Sequence, residues 1–448
     1  MTEAQTTRVD RVAIDAWLTM AVLIVFHLLN AFDRTILSLM VQYVKRDMGV
    51  TDSQIGLMLG LAFALFYGIF GVPFGILVDR KSRRLVLLGG VLVWSLATIA
   101  CGFAVSYGHL LAARMLLGVG EAALMPAAHS LLADKFPPAR LSIVLSILYV
   151  GGVFGNSAAV AIGGVAVAHF GQFDMFGLPG LPPVRGWQVP FVILGVLGVV
   201  LAPMALLFSE PPRRHFRTVV VSAVAITWAS VIRSRRAVLL SIFGSFGLYT
   251  MILYSAVLWT PTYMVRTFGW TAAQIGPGFA LVHVFGAGAG MLVFGHIVDR
   301  LFARGRTDAH LRVMMWCLII AGPIGIAAFL ATDPYVFLIL EGLFFFFGLS
   351  YAGYAAASIQ VVSPAAVRGR MAAGYLLVLI IVGAGLGPWT LGILNDHVFG
   401  SEAKIGYSML LMMVTITPIA IFSAWMGLRP MREAVAELSA TAETPPAP

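Results

Sequence analysis

Long apolar runs separated by short polar stretches set the plan of the chain. A run of about 20 residues is long enough to cross the hydrocarbon core of a bilayer as a helix. Twelve such runs are legible, at 16–42, 54–78, 85–106, 109–133, 141–168, 187–208, 237–265, 274–298, 311–331, 335–361, 370–394 and 404–428, and they predict spans 1–12. A thirteenth stretch, Val219–Ile232, is too short to cross. It is bracketed by Arg213, Arg214 and Arg217 on one side and Arg233, Arg235 and Arg236 on the other. Val221, Val224, Ala225, Trp228 and Ile232 fall on one helical face, which predicts an amphipathic helix lying in the membrane interface. The polar start and the length of the first run argue against a cleavable signal peptide. The loop 169–188 is the longest outer connection and carries no readable function. From Arg429 the chain turns polar, which predicts a short helix and a frayed end.

Two echoes divide the spans into halves. Gly75 and Asp79 at the end of span 2 return as Gly295 and Asp299 at the end of span 8, each 220 residues on. Pro137-Pro138-Ala139-Arg140 after span 4 returns as Pro364-Ala365-Ala366-Val367-Arg368 after span 10. The expected fold is therefore all-α and integral to the membrane, with twelve transmembrane helices in two six-helix pseudo-repeat bundles. The boundaries expected are 1–208 for the first bundle, 209–236 for a linker, 237–428 for the second bundle and 429–448 for a tail. Parallel repeats of this type place a substrate near the midplane, between the halves.

Composition agrees. The chain is 60% hydrophobic and 11% charged, which no ordinary soluble domain is. Of 29 Lys and Arg, 22 fall in segments that alternate to one side and 5 in the opposite loops. That asymmetry predicts that both termini and the basic loops face the cytoplasm, in a cell (inner) membrane. Scattered over short loops, the basic residues mark topology, and no nucleic-acid partner is expected. Cys101 and Cys317 lie inside apolar runs and read as packing thiols; no metal motif and no cofactor is expected.

Against this apolar background the buried charges stand out. Span 1 carries Asn30-Ala31-Phe32-Asp33-Arg34, and span 4 carries Arg114 and Glu121, two helical turns apart on one face. A charge at the centre of a span costs about 2.5 kcal/mol or more, so it marks a pathway unless it serves only as a structural ion pair. Arg34 is the expected partner of Glu121. His27, His129 and His283 also fall in spans; backbone-satisfied histidines are the plainer reading. Glu341 is read as sitting at an interface, Phe344–Phe347 as a packing run. Tyr249, Tyr254, Trp259, Tyr351, Tyr354 and Tyr375 are candidates for an amphipathic cavity lining.

Gly75-Ile76-Leu77-Val78-Asp79-Arg80-Lys81-Ser82-Arg83-Arg84 resembles the G-x-L-x-D-R-x-G-R-K signature of the major facilitator superfamily, with Ser82 and Arg84 departing from it. The glycine would allow close helix approach. The resemblance implies a cytoplasmic latch formed by Gly75, Asp79, Arg80 and Arg83, with Arg83 reaching Asp134. Arg114-x-x-x-Gly118-x-Gly120 is similar to a second signature of the superfamily. Asn30-x-x-Asp33-Arg34 together with Gly118-x-Gly120-Glu121-Ala122 resembles Spinster lipid transporters of bacterial type; organic anion:cation symporters share both elements. Span 5 is glycine-rich like the antiporter motif, but Asn156 stands where that motif has Pro. Gly383-Ala384-Gly385-Leu386-Gly387-Pro388 in span 11 reads as a hinge.

The resemblance implies a secondary carrier of an amphipathic lipid, of lysophospholipid or sphingoid type, working as a monomer by alternating access. The chain has no G-x-x-x-x-G-K-[ST] loop, so a gradient must drive it, and buried carboxyls suit protons. Asp33 is then the proton acceptor, with Arg34 its switchable partner and Glu121 the competitor for Arg34. Substrate contacts are expected from Arg34, Asn30, Arg114 and Glu121. A symporter of small organic anions is the alternative carrier. An intramembrane enzyme or receptor is the third reading, without a His-Glu-x-x-His or a nucleophile–base set to support it.

Overall fold

The computed structural model describes residues 3–177, 180, 182–211, 228–364 and 367–443. Among these, twelve helical segments are long and apolar enough to cross a membrane: Ile14–Leu39, Asp52–Arg80, Arg83–Gly102, Tyr107–Lys135, Ile143–Phe170, Gly186–Leu206, Arg236–Phe268, Ala272–Ala303, Ala309–Leu330, Pro334–Val361, Arg370–Phe399 and Glu402–Ser439. They correspond one to one with the expected spans and keep those numbers below. Most of the expected interfacial helix, up to residue 227, lies outside the described residues; Trp228–Ser234 is helical.

The repeat is written into the local chemistry. Gly49 and Gly269 both turn the chain in the left-handed region, at φ 64° and 68°, where a side chain is strained. Two residues on, Thr51 and Thr271 start spans 2 and 8, each exchanging hydrogen bonds with a glutamine three residues later. At the far end, residues 71–80 and 291–300 show the same sequence of buried and exposed positions, with Val78 and Val298 turned inward. Gly75 and Gly295 depart from expectation. A Cβ at either meets no atom within 4 Å, so the close helix approach expected at Gly75 is not made in this structure.

Contacts group the chain into two units. One holds spans 1–6 together with Trp270–Ala280, the first turns of span 8; the other holds the rest of spans 7–12. Trp270–Ala280 joins the first unit because small residues let it seat on span 5. A Cβ on Gly164 would stand 2.3 Å from the Ala272 carbonyl oxygen, and one on Gly276 2.9 Å from that of Val160.

The tail is helical over its described part, as expected, and continues the last span; the frayed end expected beyond residue 443 lies outside the described residues. The last helix runs unbroken from Ile405 to Glu443, through Pro430. Met431, Ala434 and Val435 are buried along one side. Arg432 donates to Asp308 at 3.0 Å, and Arg235 reaches Glu437 at 3.2 Å and the Ala434 carbonyl at 3.0 Å. Buried stripe and charge contacts together hold this part of the tail as helix.

Span 11 contains a π-helical stretch, Leu379–Leu386, directly before Pro388, where the hinge was expected. Cys101 and Cys317 are buried free thiols.

Candidate functional site

Span 1 is held in place by a ladder of small residues on span 5. Gly151 faces Ile24, Gly152 faces His27, Gly155 faces Leu28 and Ala31, and Gly163 faces Ile36 and Leu39. A side chain at Gly155 would stand 2.8 Å from Ala31 Cβ and 3.1 Å from the Leu28 backbone. The glycine content of span 5 is thus explained by packing against the charged helix. Asn156, on the same span, accepts from Thr35 Oγ1 at 2.9 Å.

Span 4 is squeezed in the same way between spans 2 and 3. A Cβ on Gly118 would lie 2.7 Å from the Phe63 carbonyl oxygen, and one on Gly120 2.5 Å from the Trp94 nitrogen. These obstacles are backbone, which cannot rotate away. Gly120→Val should therefore lower stability by about 1–3 kcal/mol or more through overpacking. Gly89→Ala, which meets nothing within 4 Å, should leave stability unchanged or raise it by up to about 1 kcal/mol, since alanine is the better helix former. Thermal unfolding of both variants in detergent checks the contrast; equal behaviour would refute it. The helix of span 4 stops at Glu121 and resumes at Leu124. Pro126 accounts for the break, since it has no N–H to offer the Ala122 carbonyl four residues earlier.

This packing brings the charges together. Arg34 Nε donates to Glu121 Oε2 at 2.6 Å, with the Glu121 side chain fully buried and that of Arg34 31% exposed. The guanidinium lies over two rings of span 2, 4.5 Å from the centre of Phe63 and 4.8 Å from that of Tyr67. Cation–π attraction adds to the ion pair there. Glu121 Oε1 has no hydrogen-bond partner, and Asn30 lies close enough to act on this carboxylate.

Asp33 points elsewhere. It is buried, takes part in no ion pair among the described residues, and its Oδ1 has no partner. Thr98 of span 3, whose hydroxyl donates to Trp94 O at 3.0 Å, stands beside it. Arg114 is also buried and donates through Nη1 to the backbone carbonyl of Asp33 at 2.9 Å. Arg114 thus fixes the span-1 backbone instead of meeting a carboxylate. Of the four residues expected to touch substrate, Asn30, Arg114 and Glu121 are covered in this structure, and Arg34 alone is partly open.

At the other end of the first unit, Arg83 is the hub of a polar cluster. It donates to Asp134, to Ser130 Oγ at 3.2 Å, to Glu210 Oε1 at 3.2 Å and to the Pro211 carbonyl at 2.6 Å. Ser82 also donates to Glu210, and Arg84 to the Phe208 carbonyl at 2.7 Å. Lys135 closes the ring onto Asp15 at 2.6 Å. Asp79 and Arg80 are exposed beside this cluster.

Several residues were not legible beforehand. Phe63 and Tyr67 form an i, i+4 aromatic pair, a weak signal; Thr98 gave none. His27 and His129 converge on Tyr149: its hydroxyl lies 3.2 Å from His129 Nε2, and its ring centre 6.4 Å from that of His27. Glu341 is fully buried, not interfacial. Tyr249, Trp259, Tyr351, Tyr354 and Tyr375 are buried within the second unit, with only Tyr254 exposed, so they form packed core rather than an open lining. Phe246 is the centre of three of them, with ring distances of 5.9 Å to Tyr351, 6.1 Å to Tyr354 and 6.4 Å to Tyr375.

The family profile of the Major Facilitator Superfamily matches residues 23–388. An MFS-type efflux pump of Mycolicibacterium smegmatis is 26% identical over 430 residues, covering 94% of this chain and 95% of the relative. A probable L-galactonate transporter of Escherichia coli is 29% identical, covering 74% of this chain and 70% of the relative. The spinster homolog 1 of Bos taurus is 30% identical over 260 residues, 56% of this chain and 46% of that one. In structure, a bacterial homolog of the lysosomal transporter Spinster, inward-facing and unoccupied, superposes with a TM-score of 0.75 at 22% identity, covering 97% and 99% of the two chains.

Proposed function

Because the chain belongs to the Major Facilitator Superfamily and is a multi-pass secondary transporter of Spinster-like fold, we propose that it moves an amphipathic lipid with one acyl or sphingoid chain, driven by protons. The observation that carries this reading is the division of labour in span 1. Arg34 is committed to Glu121 while Asp33, one residue away, is buried and forms no ion pair among the described residues. That is the arrangement the proton-loaded state of Asp33 would take. Losing the proton would create a second carboxylate beside Glu121 to compete for Arg34. A switch of this type ties proton movement to conformational change.

The lipid part rests on the character of the open group. A guanidinium framed by Phe63 and Tyr67 offers a charged point inside an apolar wall, which suits an anionic head group carried on a chain. The sequence similarity to spinster proteins supports it. A second reading is symport of small sugar acids. It is favoured by the similarity to galactonate and hexuronate transporters and by the same exposed cation. In either case we place both termini and the basic loops in the cytoplasm of a cell-membrane protein, from the charge asymmetry. The cluster around Arg83 would act as the inner latch.

Uptake into proteoliposomes, with and without a pH gradient, tests both parts. Lysophospholipid should compete with a labelled lipid substrate and galactonate should not; the reverse result would establish the second reading. Asp33→Asn should bind substrate and lose the response to the gradient. Full gradient dependence in that variant would remove Asp33 from the coupling role.

A further inference from the structure

Glu341 lies in span 10, outside everything assigned above. Its side chain is fully buried inside the second unit. Thr260 of span 7 donates to Oε1, and Oε2 has no hydrogen-bond partner among the described residues. Among the described residues no Lys, Arg or His forms an ion pair with it. A buried carboxylate with a single neutral donor faces a desolvation cost of several kcal/mol. In the first unit the comparable expense at Glu121 is met by Arg34.

The repeat makes the contrast sharper. Tyr107–Glu121 and Pro334–Gly348 are both 15 residues, capped by Ser106 and Asp333, and each is followed by a break and a shorter helix. Counted from the caps, Glu341 stands where Arg114 stands in the first half, eight residues in. Arg114 reaches across to the backbone of span 1, and Glu341 takes a hydrogen bond from span 7, the counterpart of span 1. One position thus holds a permanent cation in one half and an ionisable acid in the other.

We propose that Glu341 is a second proton-binding carboxyl of the transporter, seated between spans 7 and 10 and separate from Asp33, Arg34 and Glu121. Its surroundings suit a proton more than a metal or an organic cation. Gly342 packs on Val282 of span 8 and Phe344 over Gly325 of span 9, leaving close walls. Few titratable groups face it. On span 7, Tyr263 is near enough to act on its charge, while donating its hydroxyl to the Phe329 carbonyl at 3.5 Å. On span 8, His283 sits against Phe345, one turn along, with ring centres 5.5 Å apart. Span 9 contributes Gly325 and the ring of Phe329 there. The inference extends the proton coupling proposed above, but its readout does not depend on Asp33.

Infrared difference spectra of the whole protein in liposomes, between acidic and alkaline buffer, read protonated carboxyls through their C=O stretch. Wild type should show a component that disappears in Glu341→Gln and persists in Asp33→Asn. Transport by Glu341→Gln should move fewer protons per substrate. Thr260→Val keeps the carboxyl and removes its donor, so it should shift the midpoint of that component alone; this variant decides the matter if Glu341→Gln fails to fold. A Glu341→Gln spectrum that superposes on wild type would overturn the proposal. A permanently neutral structural acid would cancel from the difference spectrum and give that result; an unmoved midpoint in Thr260→Val would overturn the proposal as well. Should Asp33→Asn keep full proton-driven transport while the Glu341 component still titrates, the coupling role of Asp33 falls and this site stands.

Discussion

Arg34→Ala should abolish transport and lower stability by about 3–5 kcal/mol, the cost of leaving a buried charge without its partner. Glu121 is fully buried and receives its hydrogen bond at 2.6 Å from Arg34. No other cation donates to it among the described residues. The rings of Phe63 and Tyr67 would also lose the group they frame. Arg34→Lys keeps the charge but not the planar fork that both bonds and stacks, so part of the stability should return and little of the transport. Adding Glu121→Gln to Arg34→Ala should restore most of the stability, because the orphaned charge is gone, and none of the transport. Thermal unfolding and liposome uptake measure the two effects separately. A folded, fully active Arg34→Ala protein would contradict the assignment.

Arg83→Ala should be the next most damaging change, and its signature is a pH dependence. Arg83 is buried and serves Asp134, Ser130, Glu210 and Pro211 at once. Its removal leaves Asp134 unpaired with Arg83 and should cost about 3 kcal/mol. Burial pushes the Glu210 carboxyl up, but hydrogen bonds from Ser82 and Arg83 and the Arg83 charge outweigh it and hold the group below its ordinary value of 4.5. A carboxyl held low in the folded state stabilises the protein fully above pH 4.5 and progressively less as pH falls through its lower folded value. Without the Arg83 side chain the Ser82 hydroxyl and the backbone N–H of residue 83 still donate to Glu210, so the folded value returns only part of the way and that contribution shrinks. Wild type should therefore lose stability more steeply than Arg83→Ala on acidification below pH 4.5. Melting temperatures across an acid series check this; parallel curves would exclude Glu210 from the cluster's energetics.

Much of the architecture could be read in advance because a bilayer leaves few choices. A span must be long and apolar, so its existence is plain in the residues. A charge inside one is rare enough to point at its partner, which is how Arg34 and Glu121 could be paired across 87 positions. Orientation around each helix axis was not legible. Spans 2, 5 and 9 are apolar on every side, so no periodicity separates the face toward lipid from the face toward neighbours. Phe63 under Arg34, Thr98 beside Asp33 and the burial of Glu341 all depend on that rotation. The tyrosines of the second unit failed as a cavity lining for the same reason: amphipathic side chains fit core and cavity equally well by composition. The continuous last helix escaped notice because its hold comes from Asp308 and Arg235, far away in the chain.

Span 4 carries Glu121 on one rod and Asp134 on another, with the interruption at Ala122–Ala123 between them. Pro126 leaves the Ala122 carbonyl without its intrahelical donor, so any bend of this span falls there, between the carboxyl that holds Arg34 and the one that holds Arg83.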